Sequence, residues 1–103
     1  MQIFCTLVGA NFRGKPACDI IRSLELSDGS SLKLEAEPTN EYDANAVKVL
    51  YEADGDEEHL GYIAKVHNEP VARALEAGAE IEIEIVAFES NLKPVLQLTF
   101  DGE

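Results

Sequence analysis

Positive charge is what this sequence has least of. Eight lysines and arginines stand against twenty aspartates and glutamates, a formal net charge of −12 over 103 residues. Proteins that coat nucleic acid gather positive charge, because neutralising phosphates and releasing counterions supplies most of their affinity. That mode is excluded here, and contact with a polyanion is confined to a local patch. Cysteine is scarce too: Cys5 and Cys18 form no metal-type pair, and His59 and His67 stand apart from any ligand cluster. No structural metal is expected, and the two thiols are expected to be reduced and partly buried. The chain offers no Ser–His–Asp candidate set and no phosphate-cradling glycine loop, so neither an enzyme nor a cofactor is expected. No run is long enough to span a bilayer. Ile3–Val8 lacks the basic stretch and long apolar core of a secretory signal. A cytoplasmic protein with no membrane partner is the expectation.

What is present suffices for a core. Apolar residues make up 46% of the chain, and the length suits one domain over residues 1–103. No repeat or linker divides it. Short strands separated by turn signals dominate. Ile3–Val8 reads as the first, ended by Gly9. Asp28-Gly29 between Leu24/Leu26 and Leu32/Leu34 suggests a hairpin. Ala46–Tyr51 is a strand that an acidic loop, Asp54–Glu58, connects to a returning strand at Leu60–Ile63. One helix is well signalled over Asn68–Ala77, with Asn68 as cap, Pro70 in the first turn and Gly78 beyond its end. Ile81, Ile83 and Ile85 then alternate with Glu80, Glu82 and Glu84, which predicts one buried face and one row of carboxylates in water. After a turn near Ser90–Lys93, a last strand faces Leu96, Leu98 and Phe100 inward. About six strands with one or two short helices predict a mostly β protein, a small closed or nearly closed OB-like barrel.

Glu37 to Val49 (Glu-Pro-Thr-Asn-Glu-Tyr-Asp-Ala-Asn-Ala-Val-Lys-Val) is the most informative stretch. Pro38 ends the preceding strand, and Asn40, Asp43 and Asn45 are residue types that bond nearby backbone. Asn40, three residues before Asp43, suits the cap of a single helical turn. Taken alone, this is a well-stapled polar turn.

The longer pattern resembles the HIRAN family, whose members share an E-P-x-N-x-Y-D-x-N-A-[VI]-x-V core and then a G-[YH]-[IL] strand. Here the second element is Gly61-Tyr62-Ile63, and Leu75-Glu76-Ala77-Gly78 matches the family's helix end. The opening Val8-Gly9-Ala10-Asn11-Phe12 is similar to its first strand and loop. Arg13–Ser27 has no counterpart in that pattern. HIRAN domains stand at the front of eukaryotic fork-remodelling helicases and occur as short stand-alone bacterial or phage proteins, and this chain resembles the latter. The resemblance implies an OB-like barrel that holds the 3′-hydroxyl end of single-stranded DNA.

Such a pocket needs an aromatic face for a terminal base, and Tyr42, Phe12 and Tyr62 are the candidates. Asp43 suits the hydroxyl as acceptor and repels a 3′-phosphate. Lys65 falls where the family places a phosphate-meeting lysine, and Asn40 shares that end. Asn11 replaces an arginine frequent in DNA-binding members, which removes a phosphate contact. Arg13, Lys15 and Arg22 concentrate positive charge in the N-terminal third. Each residue also has a plain structural use: Tyr62 as packing, Tyr42 as cover for the turn, Asp43 as a cap, Lys65 as a surface lysine. The alternative function is a protein-interaction module on the same fold, its acidic surface docking a basic partner.

Overall fold

The computed structural model describes residues 1–101. Six strands form one antiparallel sheet: β1 (Gln2–Val8), β2 (Leu32–Ala36), β3 (Val47–Ala53), β4 (Asp56–Ile63), β5 (Glu82–Ser90) and β6 (Lys93–Thr99). Their order is β2-β3-β4-β1-β6-β5, with β2 and β5 at the edges. The sheet curls into a half-barrel, and a 3₁₀ segment at Leu26–Ser31 lies against β5 just before the chain enters β2. The expected mostly β, OB-like architecture is present. A helical segment, rather than a continuous ladder, bridges the two edges.

Alternation drives the sheet. Cys5 and Leu7 of β1 face the same core as Leu96 and Leu98 of β6, Leu32 and Leu34 of β2, and Val47 and Val49 of β3. Ile85 is buried and Ile83 half-buried against that core, while Glu82 and Glu84 are exposed. A one-residue slip would bring carboxylates inward, so the register of β5 is strongly specified.

Two sequence expectations fail locally, each for a visible reason. The predicted hairpin at Asp28-Gly29 is absent because Gly29 serves close approach instead of a turn: a Cβ there would overlap the Ile83 carbonyl oxygen. The Asp-Gly hairpin sits at Asp54-Gly55, where φ values of 53° and 85° give the left-handed pair a tight two-residue turn needs. The ladder therefore starts at Ala53↔Asp56, and the expected acidic loop is mostly strand.

The helices differ likewise. Arg13–Ser27 contains a helix, α1 (Lys15–Ser23), which buries Ala17, Cys18 and Ile21. The predicted Asn68–Ala77 helix begins earlier, as α2 (Lys65–Glu76), with Pro70 inside it. Asn68 is therefore no cap. It lies one turn in, buried among Val71, Ala72 and Ala74. Cys5 and Cys18 are free and buried, and burial pushes the Cys5 thiol up to about 12.

Candidate nucleic-acid interface

The motif turn hangs between β2 and β3. Its neck is closed by the Glu37 amide donating to the Ala46 carbonyl at 2.8 Å. Asn40 is the hub. Its Oδ1 accepts from the Tyr42 and Asp43 amides at 2.8 and 3.0 Å, and its Nδ2 donates to Glu37 Oε1 at 2.7 Å. Asn40 thus caps the turn as expected, although no helical turn follows. Asp43 continues the chain of bonds: Oδ1 accepts from the Asn45 amide at 2.9 Å, and Oδ2 from Asn68 Nδ2 at 2.7 Å. These donors, with the nearby positive charge of Lys65, hold the Asp43 carboxyl below its usual range.

Tyr62 enters from β4. Its hydroxyl donates to Glu37 Oε1 at 2.9 Å, the oxygen that also accepts from Asn40. Burial and that bond to a carboxylate both raise the phenol. The Asn40 and Tyr62 donors, with Lys48 at 3.7 Å, keep Glu37 ionised below the ordinary carboxylate value.

A β-bulge shapes this face. Val49 pairs with Gly61 but Leu50 pairs with His59, so Leu60 is skipped and His59 rejoins the face of Tyr62. The two rings meet edge to face, with centroids 4.9 Å apart. Burial, then the positive charge of Arg13, lowers the imidazole pKa. Gly61 permits β1 to approach, because a Cβ there would overlap the Val8 carbonyl oxygen. Val8 itself pairs with Tyr62.

Asn40, Asp43 and Tyr62 are thus joined through Glu37 and their own bonds, with Lys65 beside Asp43. Tyr42 projects from the same turn, 87% exposed. Asn11 and Phe12 sit elsewhere on this end of the molecule. They occupy the 3₁₀ turn after β1 and line a cleft of about 550 Å³ with Arg22 and Ser90–Lys93. Tyr42, Asp43, Tyr62 and Lys65 do not line that cleft. Phe12 is 91% exposed. Arg13 follows it closely enough for its charge to act on His59 and Tyr62.

The cations divide sharply. Lys15 and Arg22 share Asp19, Lys33 pairs with Glu52 and Glu57, Lys48 with Glu35 and Glu37, and Arg73 with Glu69. Of the eight lysines and arginines, that leaves Arg13, Lys65 and Lys93 without a carboxylate partner among the described residues. All three flank the elements just described. Sequence reading did not single out Glu37, Asn68, His59 or Lys93 as site residues. Glu37 stood inside the motif, whereas the others required the bulge, the helix start and the cleft to be known.

A HIRAN domain model matches residues 2–100. The chain belongs to the HIRAN domain family. Two solved structures share its fold. A Lactobacillus plantarum protein superposes with a TM-score of 0.76 at 22% identity, covering 100% of this chain and 98% of that one. The HIRAN domain of human HLTF superposes with a TM-score of 0.70 at 21% identity, covering 99% of this chain and 76% of that one. No curated protein shows significant sequence similarity. Among the described residues no three His, Cys, Asp or Glu side chains gather as a metal-ligand set, and no helix is long and apolar enough to cross a membrane.

Proposed function

We propose that this HIRAN domain binds the 3′-hydroxyl end of single-stranded DNA at the end of the half-barrel where Val8 meets Tyr62, without transforming it. The observation that carries the reading is the charge distribution: Arg13, Lys65 and Lys93, which have no carboxylate partner among the described residues, lie beside the Glu37–Ala46 turn and the Phe12 cleft. A phosphate backbone finds partners there that need not first leave a carboxylate. Phe12 and Tyr42 present open ring faces beside them, and each base stacked on such a face contributes about 1–3 kcal/mol. Asp43 accepts one bond on each oxygen, and a carboxylate oxygen has room for a second. A 3′-hydroxyl donates into that room, while a 3′-phosphate meets like charge.

Fluorescence anisotropy with short single strands ending in 3′-hydroxyl or 3′-phosphate tests the reading. The hydroxyl strand is expected to bind more tightly. Tyr42→Ala weakens it by about 1–3 kcal/mol. Asp43→Asn keeps an acceptor for the Asn45 amide and shrinks the preference between ends. Equal affinity for the two ends, or no binding at millimolar protein, overturns it.

A further inference from the structure

The opposite end of the molecule carries a second, chemically different surface. β1 runs from Gln2, which pairs with Thr99, to Val8, which pairs with Tyr62, so the two ends lie roughly 20 Å apart at ~3.3 Å per residue. At the Gln2 end a cleft of about 340 Å³ opens between the last turns of α2 and the start of β1, with Pro70, Ala77, Ala79 and Met1 along it. A second depression of about 440 Å³ adjoins it, sharing Met1, Ala79, Phe100 and Asp101, and adds Glu80 and Glu82. Together they form one elongated groove, apolar at the α2 side and acidic at the β5 side. Two cations lie along it: Arg73 reaches Glu69 at 3.4 Å, and the Met1 ammonium donates to the Phe100 carbonyl at 2.6 Å. Against them stand Glu69, Glu80, Glu82 and Asp101.

We infer that this groove docks a basic segment of a partner protein, an apolar side chain seated beside Ala77 and Ala79 with lysines or arginines reaching Glu80, Glu82 and Asp101. Charge complementarity selects the occupant. A neutral apolar segment would fill only the α2 half, and a second copy of this chain, with its net charge of −12, would be repelled. The apolar seat supplies the anchor, and the carboxylates set orientation and partner choice. Nothing in this inference depends on the DNA reading, and the distance between the ends lets both surfaces be occupied at once.

The test uses the full chain, ¹⁵N-labelled, titrated with an acetylated, amidated pentapeptide of one leucine between two pairs of lysines. The expected result is saturable shifts concentrated at Ala74, Ala77, Ala79, Glu80 and Phe100. Replacing the leucine with serine, or introducing E80K/E82K at the entrance to β5, is each expected to weaken binding at least fivefold. Thermal melting of E80K/E82K confirms that the variant is folded. Shifts spread over every acidic segment, including Asp54–Glu58, overturn the inference, as does indifference to the leucine. Self-association of the chain through these residues in sedimentation also overturns it, since the occupant is then a second copy.

Discussion

The two ends of β1 show how little a net charge says about where a protein can bind. At the Met1 end, carboxylates outnumber the cations along an apolar groove. At the Val8 end lie the lysines and arginines that have no carboxylate partner among the described residues. One chain thus offers a face fit for basic matter and a face fit for phosphate. The acidic excess disfavours a polyanion over most of the surface and leaves the Val8 end as the place where one is expected to bind.

The largest expected effect comes from erasing that difference. On the proposed reading, Arg13→Glu with Lys65→Glu removes two charge-assisted contacts of about 1.5–3 kcal/mol each, and oligonucleotide affinity is expected to fall at least about a hundredfold in anisotropy. Lys33→Glu, on the β2–β4 surface where Lys33 is already paired, leaves it nearly unchanged. If both variants lose affinity alike, the attraction is diffuse and the comparison fails. Next comes the scaffold that joins the ends. Ile85→Ala is expected to cost about 2–5 kcal/mol in denaturant unfolding, Ile83→Ala less because that side chain is half-exposed, and Glu84→Ala almost nothing. Comparable losses at Ile85 and Glu84 would contradict the β5 register.

What was legible in the sequence follows the same physics. Strict alternation over Glu80–Ile85 fixed the facing of β5, and the motif announced both the turn and the family. Two Asp-Gly pairs, Asp28-Gly29 and Asp54-Gly55, misled because the dipeptide reports conformational freedom without saying which use the fold makes of it. Asp54-Gly55 turns, whereas Gly29 lets two backbones touch. In α1, Ala17, Cys18 and Ile21 do carry a helical period, but glycine at the cap and proline in the first turn look equally like a loop. Asn68 looked like a cap by residue type. Its partner, Asp43, lies 25 residues away in the motif turn, and no local rule links them. The partition between free and paired cations was equally out of reach, because Lys33 meets Glu52 and Glu57, and Lys48 meets Glu35, only across strands.

Smaller effects sharpen the picture of the motif turn. Tyr62→Phe removes a donor to Glu37 and is expected to cost about 1 kcal/mol of stability, read from the urea midpoint, while the ring stays in place. The acid limb of the stability profile is subtler still. Glu37, ordinarily at 4.5, and Asp43, ordinarily at 3.8, are both lowered by bonds to their ionised forms. A carboxyl lowered on folding contributes stability that is complete above its unfolded pKa and is lost as pH falls through its folded one. Urea midpoints are therefore expected to hold above pH 4.5 and decline below it, and Glu37→Gln flattens the upper part of that decline. A midpoint that drops between pH 7 and 5 but is level below 4.5 would assign the acid sensitivity to other groups.

The most direct test of the account is to map where a single strand lands. Titrating the ¹⁵N-labelled chain with a short oligonucleotide ending in a 3′-hydroxyl is expected to shift the amides of Phe12, Arg13, Tyr42, Asp43, Tyr62 and Lys65 together, and to leave Ala77, Ala79 and Glu82 still. Shifts that gather at the Met1 end, or that scatter over the surface without a cluster around Tyr62, would contradict it.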